Sequence, residues 1–226
     1  MPATLKFRQA LDSPAARYSQ ALLNEAYRRL GIDAQFIEVP FGRSLIESNR
    51  GILDGELARV LLVTEHYPNL VAVPYILFDT DVSIWVNQRR CPGCTLQTVK
   101  NLVYVRGSVI IQQLLADKAS VDTVITVQTV SAAEQMFIEG KADAVVFAAY
   151  AIPADRLTGI PVSQKLLLSA PDYHLLHSRH EALIAPLATM LNTLEQEGVV
   201  GQLRKQYGIP APKAASSASI GLLMNY

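Results

Sequence analysis

Leu5-Lys6-Phe7-Arg8-Gln9-Ala10-Leu11, followed at once by Asp12-Ser13-Pro14, is the stretch from which the architecture unfolds. The first seven residues alternate apolar and polar positions, as a half-buried strand does. Asp12-Ser13-Pro14 then supplies a capping side chain and a proline suited to an early helical position. Asp12 is expected to be the N-cap, at an edge where a ligand cleft would open. Tyr18, Leu22, Leu23, Ala26 and Leu30 mark one helical face, and Gly31 stops the helix. Working outward, residues 34–39 read as a second strand and 42–49 as a second helix ended by Gly51. Residues 53–63 read as a third strand. Strand and helix in regular alternation with short connections predict a parallel, doubly wound α/β sheet.

A second such series begins near residue 100. It runs strand 101–105, helix 108–117, strand 123–127, helix 131–139 and strand 142–147, with Gly140 between the last two. Residues 71–87 look extended. Residues 173–176 read as one more strand, 184–196 as a long amphipathic helix and 199–207 as a closing helix. The expectation is two α/β lobes. Residues 1–88 with 173–209 form the first and 89–172 the second, while 210–226, rich in Ala, Ser and Pro, form a flexible tail. Two extended strands crossing between lobes would act as a hinge beside a ligand cleft.

Composition narrows the function classes. Half of the 226 residues are apolar and 18% are charged, a globular profile. Basic and acidic residues balance at 20 each, which argues against a nucleic-acid binder. No run of about 18 or more apolar residues is present to span a membrane. The start, Met1 to Phe7, lacks the apolar core of a secretory signal, which fits a cytoplasmic protein or an exported one lacking its leader. Cys91-Pro92-Gly93-Cys94 holds the only two cysteines. A disulfide clipping a tight turn, a redox-active pair and half a zinc site are the readings open to it, and the first points to export.

Several steps carry a family resemblance. Gly51-Ile52-Leu53-Asp54-Gly55 and Glu139-Gly140-Lys141-Ala142-Asp143 repeat a glycine-x-x-aspartate step between helix and strand. Arg106-Gly107-Ser108 opens a helix with glycine then serine, and Leu203 to Gly208 closes the C-terminal helix pair. Over residues 4–209 the chain resembles the family 3 extracellular solute-binding proteins, whose type II periplasmic fold includes polar amino-acid receptors. The resemblance implies a monomer that binds a small-molecule ligand between its lobes without a cofactor. It implies a periplasmic or extracellular location and service to an ABC transporter permease or a membrane signalling protein.

Candidate contacts follow from that cleft. Arg59, near the carboxyl end of the third strand, can grip a carboxylate through two parallel hydrogen bonds, or it pairs with Glu56, Asp54 or Glu65. Ser108 caps its own helix, with or without touching a ligand, and Arg106 lies beside it. Phe41, Trp85 and Tyr150 are candidate ring walls, each of which also fits a core. Arg43 is a cleft residue or a solvated charge. His174, His177 and His180 cannot all converge on a metal from a strand, because spacing by three alternates faces. Two departures from the family matter. Thr64-Glu65-His66-Tyr67-Pro68 lacks the arginine of the receptors' threonine-x-x-arginine step, and Phe147-Ala148-Ala149-Tyr150 lacks the aspartate that holds an amino group. A carboxylate or less polar ligand is therefore expected over an ordinary α-amino acid. The alternatives are a cleft enzyme resembling cyclic-carboxylate dehydratases, with Glu56 or His66 as acid or base, and an interaction domain without a ligand. No nucleophile triad or phosphate-loop pattern supports catalysis.

Overall fold

The computed structural model describes residues 4–9, 13–118 and 121–213. The chain divides into two compact units, Met1–Asp79 with Ala170–Tyr226, and Thr80–Ser169. Both divisions fall inside long strands, β4 (Leu70–Asn87) and β8 (Val162–His177), which carry the backbone from one unit to the other.

In the first unit β1 (Thr4–Arg8) lies parallel to both β2 (Asp33–Ile37) and β3 (Gly55–Val60), and β3 pairs antiparallel with β8. Helix α1 (Pro14–Arg29) buries Tyr18, Leu22 and Ala26 in one row and Leu23 and Tyr27 in the next. That i, i+4 spacing makes a continuous apolar face, and each fully buried large side chain contributes roughly 1.5–3 kcal/mol. The cap is Ser13, whose Oγ accepts from the Ala16 amide at 3.2 Å with Pro14 at the first helical position. This corrects the assignment of the cap to Asp12: a proline at N1 places the capping role on the residue just before it. Asp12 itself lies outside the described residues.

Helix α2 (Phe41–Asn49) follows, and after β3 the chain turns into a short helix, α3 (Leu62–His66). The expected third strand through residue 63 is thus too long. Leu61-Leu62-Val63 is a short apolar run, and such runs fit a strand or a buried helix equally well. Helices α6 (Glu181–Gln196) and α7 (Val199–Tyr207) complete this unit, burying Leu187, Leu191, Leu194 and Val200.

The second unit places β5 (Asn101–Val105) parallel to β6 (Thr123–Val127) and β7 (Ala144–Ala148), with β7 antiparallel to β4. Helices α4 (Val109–Lys118) and α5 (Val130–Ile138) connect them. Its core gathers Trp85, Val103, Val105, Ala133, Phe137, Val145 and Phe147.

The repeated glycine-x-x-aspartate step is built the same way twice. Gly51 and Gly140 both adopt the left-handed conformation, with φ of 72° and 69°. Each aspartate then takes an arginine that crosses its own glycine: Arg179 reaches Asp54, and Arg90 donates to Asp143 at 2.7 Å. A Cβ on Gly51 would sit 3.0 Å from Arg179, and one on Gly140 would sit 3.3 Å from Arg90. The glycines leave room for the arginines as well as for the turn.

Candidate functional site

In α/β sheets the carboxyl ends of parallel strands are where ligands gather. In the first unit two arginines stand there. Arg8 is the last residue of β1, and Arg59 is the next to last of β3. Both are buried, at 8% and 5% exposure. Their guanidinium carbons lie 5.1 and 3.8 Å from the centre of the Phe41 ring, at the start of α2.

Arg59 is neutralised by Glu56. Its Nε donates to Glu56 Oε2 at 2.8 Å, and Nη2 donates to Ser44 Oγ at 3.0 Å and the Phe41 carbonyl at 3.2 Å. In a regular strand residues 56 and 59 point to opposite faces. The pairing of β3 with β8 shifts register between these two residues, and that irregularity coincides with their meeting. Glu56 is held on its other side by α2. Ser44 and Ser48, one turn apart, present their hydroxyls to its two oxygens at 3.1 and 2.7 Å. Each serine proton is shared with a carbonyl, that of Phe41 for Ser44 and that of Gly55 for Ser48. This is why a short helix buries two serines where apolar residues are usual.

Arg8 is held differently. Its Nε donates to the Val39 carbonyl at 2.8 Å, and no carboxylate pairs with it among the described residues. Burial lowers its pKa to about 10, with the like charge of Arg59 adding to the effect and Glu56 opposing it. At neutral pH it keeps its proton. Among the described residues, two arginines against one glutamate leave this cluster with one buried positive charge in excess.

The second unit carries polar groups at the matching strand ends. Arg106 follows β5, is exposed, and donates from Nη2 to Thr126 Oγ1 at 3.1 Å. Ser108 is buried just before α4, and its carbonyl accepts from the Gln112 amide at 3.0 Å. After β7, Ala149 takes a left-handed φ of 52°, a conformation costly for a residue with a Cβ. Tyr150 follows it. Its hydroxyl donates to the buried Glu134 at 2.5 Å, its ring meets Phe147 edge-on at 4.9 Å, and Arg156 pairs with Glu134 at 3.0 Å. Burial, then the bond to Glu134 and that group's charge, push the Tyr150 hydroxyl up to about 12.

The other sequence candidates fall apart from these clusters. Arg43 is exposed and pairs with Glu47 along α2 at 2.6 Å. Trp85 sits in the second unit's core near Tyr150, and its indole nitrogen meets no hydrogen-bond partner among the described residues. Cys91 and Cys94 are joined as a disulfide. His174 is wholly buried, accepting from the Tyr27 hydroxyl at 2.7 Å and donating from Nδ1 to the Leu57 carbonyl at 3.2 Å. His180 bonds Asp54 at 2.6 Å, and His177 accepts from the Arg179 amide at 3.1 Å. Each histidine thus has its own structural partner. Arg8, Ser44, Ser48 and Glu134 were missed from sequence. The visible signal was two serines at helical spacing on α2, whereas Arg8 falls on the polar phase of its alternating strand and gave no signal.

Neither a family model nor a curated protein matches the chain. Solved structures do. A histidine kinase sensor domain with similarity to periplasmic binding proteins superposes with a TM-score of 0.75 at 14% identity, over 93% of this chain and 98% of that one. An ancestral amino acid-binding protein, a precursor of cyclohexadienyl dehydratase, gives 0.72 at 12% identity over 91% and 95%. This chain has the type II periplasmic binding protein fold. An ancestral arginine-binding protein bound to arginine matches it too, at 0.71 and 15% identity over 92% and 99%. The expected fold class is thereby shown. Within the type II fold the clusters of Arg8, Arg59 and Glu56, and of Arg106 and Ser108, occupy the strand ends of the two units.

Proposed function

We propose that this chain is a family 3-type solute-binding module that takes up a small, polar, carboxylate-bearing molecule without transforming it. The observation that carries the reading is the pair of polar strand-end clusters, one in each unit, with a buried cationic excess in the first. In the first unit the strand-end cluster supplies the contacts, with the Phe41 ring as a wall and Arg59 as part of its charge. In the second, Arg106, Ser108 and Tyr150 stand at the strand ends. Arg59 acts through its effect on the charge of the cluster, since its donors are engaged by Glu56, Ser44 and Phe41. The solved neighbours support binding: one is a sensor domain and another holds arginine. The chain serves as a transport receptor for an ABC permease or as the sensing domain of a membrane signalling protein. The Cys91–Cys94 disulfide supports a periplasmic or extracellular location.

Catalysis by Glu56 is disfavoured by its surroundings. Both of its oxygens accept hydrogen bonds from Ser44, Ser48 and Arg59. A general acid or base needs a free approach to the proton it moves. Equilibrium dialysis of the purified protein against a mixed metabolite extract, read by mass spectrometry, tests the whole reading. Retention of an unaltered carboxylate is the expected result. Release of a product of changed mass would favour the enzyme, and retention of nothing would favour an interaction domain.

A further inference from the structure

From the geometry we infer that Arg8, rather than Arg59, is the direct anchor for the ligand, and that it recognises a single carboxylate. The inference rests on the solute-binding reading and adds to it the contact and the charge of the group bound.

The two arginines differ in what remains for them to do. Arg59 gives Nε to Glu56 and Nη2 to Ser44 and the Phe41 carbonyl, with its plane against the Phe41 ring. Arg8 commits only Nε, to Val39. Among the described residues its two terminal nitrogens have no hydrogen-bond partner, although the residue is more than nine-tenths buried. Burying a cation without a counter-charge is costly, and a structure that does so holds the charge ready for an anion. The terminal edge of a guanidinium matches a carboxylate through parallel hydrogen bonds.

Charge counting selects the anion. Among the described residues, the charged groups that act on Arg8 are Arg59 and Glu56. With Glu56 answering Arg59, one positive charge is left over, which one carboxylate cancels. A doubly charged group such as a phosphate dianion would overshoot. The cluster also offers little to an ammonium group, because Glu56 is buried and already held by Ser44, Ser48 and Arg59. An amine on the ligand, if present, is therefore held elsewhere, and a plain carboxylic acid suffices for the first unit.

Calorimetric titration of three probe pairs tests this: benzoate with benzamide, pyruvate with pyruvamide, and L-alanine with L-alaninamide. Spermidine and a neutral sugar, glucose, serve as references. The wild type is expected to bind at least one carboxylate at least tenfold more tightly than its amide. Arg8→Gln is expected to weaken that carboxylate roughly tenfold to a hundredfold, the range for a hydrogen bond to a charged group. Arg8→Lys keeps the charge without the fork, so an intermediate loss is expected from it, and it carries the test if Arg8→Gln does not fold. A folded Arg8 variant that binds the carboxylate as the wild type does would overturn the anchor and leave the solute-binding reading standing. Equal binding of acid and amide would do the same, whereas binding of spermidine or glucose alone would overturn the anchor and the carboxylate part of that reading, leaving only solute binding. Binding of no probe to the folded wild type would count against both.

Discussion

Glu56 is the residue on which the first unit's cluster turns, since among the described residues it is the carboxylate that acts on both Arg8 and Arg59. Glu56→Gln leaves two guanidiniums buried near one ring with nothing to oppose them. Loss of one partner from a buried pair costs about 3–5 kcal/mol, so urea unfolding of this variant is expected to show a loss of that size. A change under about 1 kcal/mol would mean that water or another group already neutralises the cluster. Gly55, next to it, is required for space: a Cβ there would lie 2.0 Å from the Leu175 carbonyl. Gly55→Ala must therefore move β3 away from β8, and a destabilisation above about 3 kcal/mol is expected in the same assay. His174 supplies a pH signature. Burial lowers its pKa to about 4, against 6.5 for an exposed histidine. Between these values the unfolded chain binds the extra proton and the folded one does not. Stability therefore falls as the pH drops from about 6.5 to 4, by up to about 3 kcal/mol, and the contribution is constant outside that window. Replacing His174 with glutamine should flatten this part of the stability profile. An unchanged slope would assign it to other groups.

At the scale of elements, regular amphipathic patterning was readable directly from sequence. Strands β5 and β6 and helix α7 lie at the residues their patterns mark, 101–105, 123–127 and 199–207. Strand β8 was legible only over its buried end. It begins at Val162, and its first half, through Lys165 and Leu166, is largely exposed, so backbone pairing rather than side-chain burial decides its conformation. The cluster at Arg59 was half legible. Arginine near a strand end pointed to the place, and Glu56 was among the partners considered. What assigned the partner was a register shift in β3, and a one-residue irregularity leaves no periodic trace. Arg8 was hidden for a related reason: it falls on the polar phase of its strand, and the Phe41 ring comes near it only in the folded unit. The Cys91–Cys94 loop is a self-contained element. A disulfide across so short a loop restricts the unfolded chain little, so the double serine variant should lose no more than about 2 kcal/mol. Its ligand affinity should equal the wild type's. A collapse of folding on reduction would show that the link orders more than its own turn.

For the molecule as a whole, the two units repeat one plan. Each places parallel strands with a buried core below and polar residues at the carboxyl ends, and each anchors a glycine-x-x-aspartate step with an arginine. A plan repeated in this way places polar groups at the strand ends of both units, and the solved proteins with this fold include amino-acid binders and a sensor domain. The central claim is that such a chain binds a small carboxylate. Its most direct test is the melting temperature of the wild type with and without saturating benzoate, pyruvate and amino acids. Ligand at about a hundred times Kd adds about 2.7 kcal/mol, which for a chain of this size raises the Tm by roughly 5–10 °C. The account predicts a rise of that order for at least one carboxylate and none for its amide. A well-folded sample whose Tm is unmoved by every carboxylate would contradict it.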